Sequence, residues 1–295
     1  MSLKFFVGWA NRLIVCPRGV RYEEPRGHKS VPTLRTIGFF TVLLGAMTLA
    51  QAAEINLTEV IQKSLAVNKV LDSTSDATFT LTNKTGQARV RKTIGVSKLQ
   101  ANGEDNMRMT RFVEPADVKG TVSLLIEHSA GEDDMWIYLP ALKKVRRMVS
   151  SNKRDSFVGT DFSYGDVIGH KVSDWNYKLL REEVADGAAC YVIEATPKND
   201  EVRSSSGYGK RVIWVRKDNY FAIRGDLWDE AGQPLKTFHL TELQEVDAAR
   251  HKWQAMRLES KNLQSGHQTV IRFESFRVNQ KVRDEFFTTR YMERE

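Results

Sequence analysis

Cysteine is almost missing from this chain. Only Cys16 and Cys190 occur among 295 residues, and Cys16 lies in a leader-like stretch. No intramolecular disulfide is therefore expected in residues 53–295, and stability must come from a packed core. Proline is scarce as well, with seven residues. No linker rich in Pro, Gly and Ser divides the chain, so residues 53–295 are expected to form one domain. Metal-ligand spacing is absent: His128, His170, His239, His251 and His267 show neither an i, i+4 pair nor a cysteine-rich neighbourhood. No metal and no cofactor are expected. There is no G-x-S-x-G elbow, and "SSSGYGK" (204–210) does not satisfy the phosphate-loop pattern; it reads as a flexible hairpin tip. We assign no catalytic residue and expect no enzyme. A secreted hydrolase would rest on scattered Asp, Ser and His alone.

The first segment departs from the rest. "IGFFTVLLGAMTLA" (Ile37–Ala50) carries no charge, follows Arg35, and leads into Ala50-Gln51-Ala52. A cation, a short apolar core and small residues at an A-x-A site mark a secretory signal peptide. Fourteen residues are too few for a membrane span, which takes about 20. We expect residues 1–52 to be removed after Ala52, with Val31 an alternative start. Residues 1–52 hold seven Lys/Arg and two Asp/Glu of the 44 and 37 in the chain. The remainder carries 37 basic and 35 acidic residues, close to +2. Near-neutrality and export both argue against a nucleic-acid partner.

Beyond the leader, "INLTEVIQKSLAVNKV" places Leu57, Val60, Ile61 and Leu65 at helical spacing. The pattern then changes to strands. "ATFTLTN", "ARVRKTIGV", "NMRMTRFV", "TVSLLIEH", "DMWIYLP" and "KKVRRMV" come first. "DWNYKLLREEV", "ACYVIEATP", "KRVIWVRK", "YFAIRGDLWD", "PLKTFHLTELQEV", "HKWQAMRLESKN" and "HQTVIRFESFRVN" follow a break. Turn chemistry such as "ADGA", "EAGQ" and "QSGH" separates most of them. The break, "SSNKRDSFVGTDFSYGDVIG" (150–169), is polar, glycine-bearing and aromatic, with a short helical turn expected after Thr160 or Asp161. Loops this long inside a domain are usually functional. The fold expected is mainly β (α+β). A strongly curved antiparallel sheet forms a half-open β-barrel, with the N-terminal helix and short helical elements covering its concave side.

"WIYLPALKKVRRMV" (Trp136–Val149) sets large rings in one arm and cations in the other. Its first arm is apolar on both faces, so it is covered on both sides or turns one side to an oily ligand. From alternation we select Phe112, Leu124, Ile126, Trp136, Tyr138, Phe157, Phe162, Tyr164, Trp214, Phe238, Met256 and Phe273 as candidates to line a hydrophobic cavity. Core packing is the alternative for each. Lys143, Lys144, Arg146 and Arg147, with Asp161, are candidates for a rim or partner-binding face. These cations could pair with Asp155, Asp161 or Asp166 and hold the following segment as a lid. They could instead meet anionic head groups or an acidic partner, or stand as a solvated charged strand. Asp161 and Asp166 also suit capping of a short helix.

"FVEPADVKGTVSLLIEH", "DDMWIYLPALKKVRRM" and "SFVGTDFSYGDV", in this order between Phe112 and Val167, resemble the outer membrane lipoprotein-sorting protein family of LolA-like periplasmic proteins. The resemblance implies a half-open barrel with helices over its concave side and a cavity for acyl chains without catalysis. It also implies a periplasmic carrier of lipoproteins or other lipids towards the outer membrane. An inner-membrane transporter, an outer-membrane acceptor and transient contact with a membrane surface are the partners to expect. A sensor or adaptor that binds lipids or mislocalised lipoproteins and regulates a membrane partner is the alternative.

Overall fold

The structure, a computed structural model, describes residues 55–294. The expected signal peptide lies outside them. Helix α1 (Leu57–Ala66) starts at Asn56, whose side chain accepts from the Glu59 amide. This satisfies one of the amides that a helix leaves open at its start. Val60 and Ile61 form its buried face, as the spacing predicts.

Strands β1 (Asp72–Thr82), β2 (Ala88–Leu99), β3 (Asn106–Glu114), β4 (Val122–Ile126), β5 (Asp134–Leu139) and β6 (Lys144–Met148) make the first half. Strands β7 (Trp175–Ala185), β8 (Ala188–Pro197), β9 (Lys210–Arg216), β10 (Ala222–Trp228), β11 (Pro234–Asp247), β12 (Lys252–Asn262) and β13 (Gln268–Val278) make the second. All thirteen join one sheet in the order β6-β5-β4-β3-β2-β1-β13-β12-β11-β10-β9-β8-β7. Each half is a meander. The halves meet where β1 pairs antiparallel with β13, Phe79 opposite Ile271.

This order makes consecutive strands β6 and β7 the two opposite edges of the sheet. Laid flat, twelve gaps of about 4.8 Å would separate them by about 58 Å. A sheet of this size must curl, and here it is a curved, open sheet. The connection, residues 149–174, crosses one face of it. It contains 3-10 turns at Ser150–Arg154, Phe157–Gly159 and Val172–Asp174, and helix α2 (Tyr164–Ile168). We call it the lid.

Helix α3 (Asp200–Ser206) and a C-terminal helical turn, α4 (Thr289–Met292), complete the elements. Helix α3 corrects the reading of Ser204–Ser206 as a flexible hairpin tip. Asn199 caps it through the Val202 amide, and Gly207 ends it with φ +75°. Glycine reaches this left-handed region without the Cβ clash of other residues. Among the described residues no helix is long and apolar enough to cross a membrane.

Tertiary cover explains why β4 and β5 are apolar on both faces. Leu125, Met135 and Ile137 pack beneath the lid with Phe79, Leu81 and Phe112. Leu124, Trp136 and Tyr138 pack on the other side against Val282, Phe287 and Met292 of the C-terminal tail. Both faces are therefore covered. Gly209 sets the entry to β9. Its amide donates to the carbonyls of Trp228 and Asp229, and an added Cβ would stand 2.6 Å from the Asp229 carbonyl oxygen. Gly209→Ala should lower unfolding stability by about 1–3 kcal/mol, the usual cost of overpacking. Urea denaturation of the purified variant checks this.

Candidate functional site

The lid and the sheet beneath it form the most built-up region of the molecule. Ser163 starts α2 with a capping box: its hydroxyl accepts from the Asp166 amide at 3.1 Å, and the Asp166 carboxylate accepts from the Ser163 amide at 2.8 Å. The reciprocal pair orients Asp166 towards the sheet. There the carboxylate accepts from Lys236 Nζ at 2.7 Å and from the Tyr208 hydroxyl at 2.8 Å. His170 Nε2 stands 3.9 Å away. Lys236 also donates to the Asp161 carbonyl at 2.9 Å. Asp166 and Lys236 are nearly sealed from solvent, with side chains 6% and 7% exposed. This buried, charge-assisted cluster latches the lid.

Burial raises the Asp166 carboxyl, but Lys236 and His170 outweigh it and hold the group well below the usual carboxylate range. Burial, reinforced by Arg211 and opposed by Asp166, pushes the His170 imidazole down to about 4. Burial, followed by the neighbouring Asp166 charge, raises the Tyr208 hydroxyl well above its ordinary value. Near neutral pH the latch is an aspartate, a neutral histidine and a tyrosine that keeps its proton.

Other ties hold the rest of the lid. Arg91 donates to the Val158 carbonyl and Arg108 to the Val167 carbonyl. Asp161 accepts from Thr269 Oγ1 at 2.7 Å and lies 2.6 Å from His267 Nδ1. Val158, in the 3-10 turn Phe157–Gly159, has φ +48°, an uncommon conformation for a β-branched residue. Under these ties lies a line of rings. Phe79 meets Phe112 at 5.9 Å, Phe112 meets Phe157 at 6.3 Å, and Phe157 meets Tyr164 edge-on at 5.3 Å. Phe162 stacks on Phe238 at 5.3 Å with 2° between planes.

Of the twelve cavity candidates, the structure brings six together under the lid: Phe112, Phe157, Phe162, Tyr164, Phe238 and Phe273. Leu124, Ile126, Trp136 and Tyr138 belong to the opposite face, beneath the C-terminal tail. Trp214 lies in a separate apolar cluster and donates its indole N–H to Glu183. Met256 is half-buried and joins none of the apolar clusters. The expected hollow is closed by the protein itself. Phe112 and Met135 have no exposure and Phe157 has 2%, because the aromatic lid fills the face it covers.

The cationic hairpin does not hold the lid. Arg147 pairs with Asp134 at 2.7 Å, while Lys143, Lys144 and Arg146 are exposed. Asp161, expected at the rim, has a side chain only 6% exposed and faces His267 and Thr269. Sequence reasoning also missed Lys236, Tyr208, Arg211 and His170. A signal for two of them was present. Lys236 alternates with Phe238 and Leu240, and Arg211 with Ile213 and Val215, which places each cation in line with the apolar positions of its strand.

Stability should fall in two windows as the pH drops. Between about 6.5 and 4 the unfolded state binds a proton at His170 that the native state does not, a loss of about 3 kcal/mol. Below about 4 the depressed Asp166 adds a second loss. Urea midpoints measured across this range should show both windows, with the upper one removed in His170→Leu.

Comparisons with known proteins bear on the whole domain. A family model described only as that of an uncharacterized protein matches residues 104–294. No curated protein matches the sequence. A domain from Vibrio parahaemolyticus named for outer membrane lipoprotein sorting shares 28% identity, with a TM-score of 0.73 over 80% of this chain and 98% of that one. A DUF1329 family protein from Desulfovibrio piger shares 30% identity, with a TM-score of 0.70 over 79% of this chain and 98% of that one. A LolA superfamily protein from Nitrosomonas europaea, 19% identical, has the same fold with a TM-score of 0.62, over 81% of this chain and all of its own length. An open antiparallel sheet matched over nearly the full length of these structures identifies the chain as a member of the DUF1329 family, with the fold of the lipoprotein-sorting domain and of the LolA superfamily protein.

Proposed function

We propose that this protein is a non-catalytic periplasmic carrier that shelters acyl chains of lipoproteins or other lipids on the sheet face beneath the lid. The observation that carries this reading is the aromatic plug. Phe157, Phe162 and Tyr164 descend from a lid that polar contacts at Val158, Asp161, Asp166 and Val167 fasten to the sheet. Burying three such rings is worth on the order of 5–9 kcal/mol, and a chain of about sixteen carbons gains on the order of 12 kcal/mol at 0.8 per methylene. The two magnitudes are close enough for a hydrocarbon chain to replace the plug and for the lid to expel it again. Strong retention would prevent delivery.

Donor or acceptor partners at the membrane fit the β5–β6 hairpin. Exposed Leu142 and Val149 flank Lys143, Lys144 and Arg146 at one edge of the sheet, and no latch contact depends on them. An inner-membrane transporter or an outer-membrane acceptor would meet the protein here, at an anionic surface.

Phe157→Ala should reduce stability by about 3–5 kcal/mol while increasing the amplitude of fluorescent fatty-acid uptake, because it thins the plug. Uptake by neither protein, together with no acylated molecule in solvent extracts analysed by mass spectrometry, would sink the carrier reading. Lys144→Glu with Arg146→Glu should abolish co-sedimentation with phosphatidylglycerol vesicles at low salt and leave fatty-acid uptake intact. Unchanged sedimentation would remove the hairpin from this role.

A further inference from the structure

Arg211 is the oddest charge in the molecule. It stands on β9 with its guanidinium carbon 3.6 Å from the centre of the Trp175 ring. Its Nε is sealed from solvent without a hydrogen-bond partner, and it forms no ion pair with a carboxylate among the described residues. The stack on Trp175 offsets part of the lost hydration, but the sealed Nε donor has no acceptor, which is costly unless something else supplies one. It pairs across the sheet with Leu227 of β10, which packs in one apolar cluster with Trp175 and Tyr208.

The lid itself shows what shape such a partner would take. Phe162 lies flat on Phe238. Four residues later, the Asp166 carboxylate sits on Lys236 and the Tyr208 hydroxyl. An oily group and an anion thus occupy the sheet side by side, as the tail and head of an amphiphile would. A surface cleft of about 420 Å³ already reaches Lys236 and Tyr208 from outside, beside the Arg154–Glu230 ion pair. We infer that the closed lid mimics the cargo, and that the cargo is an anionic amphiphile whose carboxylate or phosphate replaces Asp166 on Lys236 and Tyr208, and reaches Arg211 as well, when the lid lifts. This rests on the carrier reading and narrows it: a neutral lipid would leave three donors without an acceptor.

The test compares oleic acid, oleyl phosphate and methyl oleate at mildly alkaline pH, with inorganic phosphate as a fourth probe, by displacement of a fluorescent fatty acid. Oleate and oleyl phosphate should bind at least about tenfold more tightly than methyl oleate, a difference of about 1.4 kcal/mol, and inorganic phosphate should not displace the probe. Arg211→Gln should erase most of that preference at a methyl oleate affinity within about twofold of the parent's, with the melting temperature lowered only by loss of the Trp175 stack. Tyr208→Phe is the second variant; it removes a latch contact as well as a donor, so methyl oleate binding should rise while the ratio favouring oleate and oleyl phosphate falls. Equal affinity for the three lipids in the parent protein, or an undiminished preference in both variants, overturns the inference and leaves the carrier reading standing. Tight binding of inorganic phosphate with no lipid preference overturns it in favour of a free-anion site. Binding of none of the lipids overturns both readings.

Discussion

One topological constraint governs this molecule: the chain must travel from one edge of a thirteen-stranded sheet to the other. Strand β6 ends at one edge and β7 begins at the opposite one. The residues between them have to lie across a face, because passing through the sheet would break its ladder. The lid is therefore a consequence of strand order. Curvature shortens its path and leaves a covered apolar surface, and the pairing of β1 with β13 keeps both halves on one continuous support. The cargo site proposed for this protein uses that covered surface.

Two kinds of interaction hold the cover, and their difference matters. The aromatic plug is non-directional, and another hydrocarbon can replace it. The Asp166–Lys236–Tyr208 latch is directional and nearly dry, so breaking it without substitution would strand a buried charge. A lid fastened only by rings would yield to any oily molecule, and one fastened only by buried ions would yield to none. Arg211, with no anionic partner among the described residues, adds a preference at the place where these two kinds of contact meet.

Strand and helix patterns were readable because alternation and helical spacing are local. Leu57, Val60, Ile61 and Leu65 announced α1, and the Asp161–Asp166 stretch announced a capped turn. The doubly apolar β5 announced cover on both faces, but not which cover lay where. Trp136 and Tyr138 turned out to face the C-terminal tail, while Met135 and Ile137 face the lid. That division depends on residues about 150 positions downstream, which no local pattern encodes. The cations of β6 drew notice because they are consecutive. The lysine that fastens the lid did not, because a single Lys236 among apolar positions looks like noise until its partner is seen.

The sequence alone determined the class of fold, the likeness to lipoprotein-sorting proteins, and the long aromatic break between the two runs of strands. Each depends on residue order and short-range periodicity, which a linear reading preserves. Only the tertiary structure decided which rings share the covered face, that the hollow is closed by the protein's own side chains, and that Asp166 meets Lys236 while Arg211 meets no carboxylate among the described residues. Those outcomes depend on how β6, β7 and the lid come together across the curved sheet. Distances between side chains on different strands exist only after the chain has folded.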